Sequence, residues 1–216
     1  MGIYMEKVVI CGAGGLGREV LEILKSQNSL RKKWKILGFI DDTKAKGQFI
    51  NGFPVIGDID WFCNNHKNVG CLVAIGDPQI RYKVVKKLDN YNIKFVNAIH
   101  PSAILSDSVS LGKNVIICAG VVLTVNIKLG SHIVLNANST IGHDVIINDY
   151  CSIMPSATIN GNSHIKEGAN FGSGATGIQN IQVGKWSIIG AGAVVVKDIP
   201  DGVTAVGIPA KPIKKF

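Results

Sequence analysis

The sequence has no apolar run near the roughly 20 residues that a membrane-spanning helix needs. Its start, MGIYMEKVVI, lacks the pattern of a secretory signal. CxxC spacing is absent, and the five cysteines (Cys11, Cys63, Cys71, Cys118 and Cys151) are odd in number, which disfavours zinc and a disulfide framework alike. A reduced, cytoplasmic setting is expected. Aromatic residues are only 6% of the chain, and the 23 Lys and Arg, against 15 Asp and Glu, are scattered. The net charge of +8 therefore does not read as a nucleic-acid footprint, and small phosphorylated ligands fit it better. The tail KPIKKF is too weak a patch to imply stable membrane insertion. At 216 residues and 46% hydrophobic, the chain can bury a sizeable core in one large or two small domains.

Two periods divide it. Up to about residue 97, short apolar runs alternate with helix-like segments: KVVICG, KILGFID, GCLVAIG and NIKFVNAI read as strands, REVLEILKS and QIRYKVVKKLD as helices. This predicts an α/β domain with a mostly parallel sheet over residues 1–99. From His100 onward a six-residue period takes over. Stepping by six from Leu105 to Val195 meets a large apolar residue every time except at Gly177, and the position two earlier is always small or aliphatic. Six residues make a short strand and a turn, and three such units close a triangular coil of 18. Both residue series point inward, and coils stack at about 4.8 Å, giving a prism roughly 25 Å tall. Residues 100–216 are thus expected to form a parallel β-helix of hexapeptide repeats.

GAGGLGREV, FIDD, VAIGDPQIR, IHPSA, NANSTIGHD and VGIPAK follow one another as in the NeuD/PglD-type sugar acyltransferases, which the chain resembles over nearly its whole length. The resemblance implies a Rossmann-like domain that binds a nucleotide sugar, a left-handed β-helix, and a cytoplasmic homotrimer with active sites between prisms. It also implies acetyl-CoA as co-substrate; His132, His143 and His164, spaced 11 and 21 apart, do not stack at multiples of 18, so no metal is expected. The implied activity is N-acetylation of a nucleotide-linked 4-amino-4,6-dideoxy sugar in bacterial surface-glycan or glycoprotein sugar synthesis. O-acetylation of a sialic acid is the alternative in the same chemistry, and a non-catalytic trimeric scaffold the alternative from another class.

IGHD, residues 141–144, carries the chemistry. With Ile141 inward, His143 falls at a corner and points outward, and adjacent Asp144 can hold one ring nitrogen while the other acts as a base. One coil further lies Gly161, whose small size would admit a thioester and whose N–H could donate to a developing oxyanion. The family places its catalytic base at the position of His143, followed by an acid. Cys151 is inward and reads as a core residue, while His100 reads as structural and His132 and His164 as outward-facing. Ser152 stands where some relatives have a second His.

GAGGLG fits G-x-G-x-x-G between strand and helix, a turn suited to phosphates. Room for little more than one mononucleotide half argues against a nicotinamide-dependent enzyme. The resemblance makes Gly12, Ala13, Gly15, Gly17, Asp41, Asp42, Gly76, Arg81 and Asn136 substrate-binding candidates, with Leu16 where some relatives have His. For acetyl-CoA, Gly161 leaves room for the thioester, the glycine-rich corners at Ser173 and Ala191 suit a pantetheine arm, and Lys211 beyond the last hexad is a phosphate partner.

Overall fold

The computed structural model describes residues 5–65 and 69–215. The N-terminal part is a six-stranded sheet in the order β3-β4-β2-β1-β5-β6. Its strands are β1 (Glu6–Cys11), β2 (Trp34–Ile40), β3 (Phe49–Ile50), β4 (Phe53–Gly57), β5 (Gly70–Val73) and β6 (Lys94–Phe95). Every pair is parallel except β3 with β4. That hairpin lies where the sequence reading left a gap, and it turns on Asn51 and Gly52, both at positive φ, the residue pair that a tight hairpin turn favours.

Three helices complete the domain: α1 (Gly15–Leu30), α2 (Ile59–Asn65) and α3 (Pro78–Asp89). Helix α1 buries Val20, Leu21, Ile23 and Leu24, an i, i+3, i+4 stripe. Asp77 caps α3 by accepting from the Ile80 N–H at 2.8 Å, Pro78 opens the helix, and Lys86 and Lys87 lie in its last turn.

The remainder is a three-faced prism of two-residue strands. Face 1 begins with Ala98–Ile99 and continues through Ile116–Ile117, Val134–Leu135, Ser152–Ile153, Asn170–Phe171 and Ile188–Ile189; face 2 runs from Ile104–Leu105 to Val194–Val195, and face 3 from Ser110–Leu111 to Gln182–Val183. Pairing is parallel at an offset of 18, as in Ile116 with Val134 and Thr140 with Thr158. The expected strand NIKFVNAI is therefore shared: Lys94–Phe95 edges the first sheet, while Ala98–Ile99 starts the prism.

The inward series forms one core from Val115 to Ala205, with Leu105 and Leu111 half-buried at its open lower end. Gly177, the one gap in the large series, lies beside Ile181 and Phe171, which fill its space from two sides. A second series was not read from the sequence. Every sixth residue from Asn114 to Gly192 has positive φ, including Asn126, Asn138, Asp144, Asn162 and Asn180. Asn, Asp and Gly tolerate this left-handed geometry best, so their spacing carries the corner signal as the aliphatic residues carry the core signal.

The two domains are fastened along face 1. Its outward residues Ala98, Ile116 and Val134 join the core under α1 and β1. Further along, Tyr150 and Trp186 pack with Tyr82 in edge-to-face contacts at 5.1 and 5.5 Å.

Candidate active site

The loop after β1 shows why its glycines are needed. Gly12 has φ 100, and a methyl group on it would press on the Ala74 carbonyl. A methyl on Gly17 would collide with the carbonyl of Gly12, so this glycine sets how closely α1 packs on the strand. Gly14 caps α1 without a side-chain bond, and no acidic residue occupies the first turn. The helix thus presents unneutralised N–H groups to a cleft of about 400 Å³ lined by Gly12, Gly14, Gly15, Leu16, Asp41, Asp42, Thr43, Ile75, Gly76 and Ile80, among others.

Of the candidates for this site, Gly12, Gly15, Asp41, Asp42 and Gly76 line the cleft. Asp41 braces the loop: Oδ2 accepts from the Ala13 N–H at 2.8 Å, and Oδ1 accepts from Thr43 N at 2.8 Å and Thr43 Oγ1 at 2.6 Å. Burial alone would raise its pKa, but the bonds from Thr43 and Ala13 outweigh that and hold it below the usual value. Asp42 accepts from the Ile59 N–H at 2.9 Å.

Three candidates are corrected. Ala13 and Gly17 are buried in the turn and do not line the cleft, and the Ala13 N–H is spent on Asp41. Arg81 does not face the cleft either. Fully buried, it donates to the carbonyls of Ile75 and Gly76 on one side and of His132, Tyr150 and Cys151 on the other, and to Ser152 Oγ. Burial lowers its pKa to about 10, and five carbonyl dipoles take the place of a counter-ion. Ser152 Oγ in turn donates to the Gly76 carbonyl at 2.7 Å. Arg81 and Ser152 are thus a clasp between the cleft wall and the prism. Sequence alone could not separate that role from substrate contact, because its partners in the prism are three backbone carbonyls and one hydroxyl 51 to 71 residues away.

The corner between faces 2 and 3 carries His143. Its side chain is 53% exposed, and Nδ1 lies 2.8 Å from Asp144 Oδ2. The second oxygen, Oδ1, accepts from Asn126 Nδ2 at 3.1 Å, one coil below. The bonds from His143 and Asn126 lower the pKa of Asp144. One coil above, the imidazole lies over the α-carbon of Gly161: a methyl group there would meet Cε1 and Nε2 at 2.5 Å. Gly161 is buried, so its first role is to make room for the ring. Its carbonyl accepts from Asn180 N, while its N–H has no acceptor among the described residues.

The other histidines differ. His132 points out of the prism as expected, but the N-terminal domain covers it and leaves it 7% exposed. It stacks on Tyr150 at 5.1 Å and meets Asn114 Nδ2 at 3.2 Å, and burial lowers its pKa to about 4. His164 is half-buried against Asn148 Oδ1 at 2.9 Å, with its pKa lowered by burial. His100 Nδ1 accepts from Ser102 N at 3.1 Å. No group of three potential metal ligands occurs among the described residues. Cys151 is buried in the prism core, and burial pushes its thiol up to about 12.

Asn136, Ser173 and Ala191 stand at the corner between faces 1 and 2, the opposite end of face 2 from His143. Asn136 Oδ1 accepts from Ala137 N at 2.8 Å, and Ser173 and Ala191 are exposed. Lys211 begins an exposed strand, Lys211–Lys215, antiparallel to Val203–Val206. One chain therefore offers three separate groups: the cleft, the His143 corner and the Asn136 corner.

Residues 7–88 match the family model described as the PglD N-terminal domain. Over 214 residues the chain is 32% identical to the GDP-perosamine N-acetyltransferase of Escherichia coli O157:H7, covering 95% of this chain and 96% of that protein. The chain belongs to the NeuD/PglD-type sugar acyltransferases. PerB from Caulobacter crescentus, solved with CoA and GDP-perosamine, superposes with a TM-score of 0.87 at 32% identity over 99% of this chain and all of that one. The acetyltransferase domain of PglB from Neisseria gonorrhoeae FA1090, in complex with acetyl coenzyme A, gives 0.88 at 33% identity over 97% of this chain and all of that one. The prism is the left-handed β-helix of this family, and the protein is an acyltransferase.

Proposed function

We propose that this acyltransferase moves the acetyl group of acetyl-CoA to the 4-amino group of a nucleotide-linked 4-amino-4,6-dideoxy sugar, with His143 as general base. The observation that carries the reading is the imidazole held by Asp144 on an open corner, its Nε2 directed over Gly161. With Nδ1–H donated to the carboxylate, Nε2 is the free acceptor. The amine nitrogen attacks the thioester carbon while Nε2 takes its proton. The oxyanion then rests on the Gly161 N–H, collapse breaks the C–S bond, and the imidazolium returns the proton to the departing thiolate to release the thiol of CoA. No covalent intermediate with the enzyme is required.

The nucleotide occupies the glycine-loop cleft, its phosphates at the start of α1, with Asp42 and Gly76 along the walls. The pantetheine arm follows the small-residue corner past Ser173 and Ala191, and Lys211 meets its phosphates. Because that corner and His143 lie at opposite ends of one face, a site using both needs two chains. A closed homotrimer repeats one such contact three times. The enzyme serves surface-glycan or glycoprotein sugar synthesis in a bacterial cytoplasm.

The test is a panel of GDP-, UDP- and dTDP-linked 4-amino sugars with acetyl-CoA, following thiol release. GDP-perosamine comes first, since two whole-chain relatives are named for it or bind it. Turnover on one member is the expected result. Silence across the panel, with activity on free sialic acid, overturns the reading.

A further inference from the structure

The carboxylate beside His143 does not stand alone. Asp144 is exposed, so water competes for its oxygens and its χ angles are otherwise free to turn. Oδ2 meets the imidazole at 2.8 Å, and Oδ1 takes the Asn126 amide at 3.1 Å. Asn126 is fixed from below, where its backbone N–H donates to Ser108 Oγ at 2.8 Å and that hydroxyl lies 2.9 Å from Ser106 Oγ. Both Asn126 and Asp144 have left-handed backbones, φ 57 and 59. The prism stacks them 18 residues apart with their side chains brought together at the same corner.

We infer that Asn126 is a positioning residue for acyl transfer: its carboxamide holds the Asp144 carboxylate in the orientation that keeps the proton on Nδ1 of His143 and leaves Nε2 free to act. A carboxylate tied at one oxygen only can rotate toward water. The imidazole then loses its partner and divides between tautomers, of which only one presents a basic Nε2. The inference rests on His143 being the base proposed above.

Asn126→Gly removes the carboxamide and keeps the left-handed backbone without strain. The expected result is a fall in kcat of roughly tenfold with the KM values for both substrates unchanged, since the effect lies on the reacting base and not on binding. Asn126→Asp, equally at home in this backbone, costs at least as much because it replaces the donor by a like charge. In an Asp144→Gly background, Asn126→Gly adds no further loss, because its action passes through the carboxylate. Nitrogen-15 NMR of the His143 ring reads the same claim without turnover: wild type holds the Nδ1–H form, and Asn126→Gly shows a mixture. An unchanged ring spectrum in Asn126→Gly, or an equal kcat loss with and without Asp144, overturns the inference. Retained activity in His143→Ala would instead sink the general-base reading, which is a separate outcome.

Discussion

His132 and His143 stand at two corners of the same prism, and they have opposite fates. At the corner of His132, the N-terminal domain lies on top, so the ring is stacked, hydrogen-bonded and kept neutral by burial. At the corner of His143 the ring stays half-exposed, and a carboxylate holds it at the solvent. The two rings stand one step apart in the corner, His132 on the left-handed residue itself and His143 on the residue before one, Asp144. What packs over the corner decides whether an imidazole becomes part of a core or remains available to react.

The largest expected effect breaks that contrast at its open end. His143→Ala should lower kcat by about 10²–10⁴-fold with an unchanged melting temperature, whereas His132→Asn should leave kcat within a few-fold and lower the melting temperature. Measuring both quantities for both variants checks the division; equal behaviour would abolish it. Next comes Gly161→Ala. The added methyl group displaces the ring it would touch, and a misplacement of that size should cost roughly 10- to 100-fold in kcat. A crystal structure of the variant should show the imidazole moved off the corner. Ser152→Ala acts at the covered side. It removes the bond to the Gly76 carbonyl and one acceptor of Arg81, for a loss of about 1–3 kcal/mol in denaturant unfolding.

The smallest effect is one of pH. Native His132 takes a proton only near pH 4, while the unfolded ring takes it near 6.5. The unfolded state therefore binds more protons between these values, and stability falls as pH drops from 6.5 to about 4. His132→Asn, which suits the left-handed backbone, should flatten that slope in melts across the window. A slope identical to wild type would show that other groups carry it.

Most of the prism was legible because its signal is local and repeated: Ile141 inward places His143 outward whatever the rest of the chain does. The series of Asn, Asp and Gly at every sixth position was equally available and would have marked most corners, though His132, Tyr150, Ser156 and Trp186 interrupt it. So would Asn51–Gly52, a hairpin signal inside a stretch otherwise without period. What stayed hidden depends on packing between distant segments. His132 resembles any corner residue until α3 and β6 cover it, with Phe95 set edge-on to its ring. Arg81 resembles a phosphate ligand beside a nucleotide loop until its guanidinium is found among carbonyls of the other domain. Asn126 lies one coil from the residue it serves, a relation visible only once the coil length is used to pair side chains and not only to sort them inward and outward.

The Arg81 clasp has a consequence for how the enzyme measures its substrate. Because one guanidinium grips both the cleft wall and the prism, opening this seam would break the four hydrogen bonds that Arg81 makes to the prism. On the proposed reading, a ligand anchored by its nucleotide in that cleft has a reach set by its own length, as between the jaws of a caliper. On that reading, a sugar joined through one phosphate too few falls short.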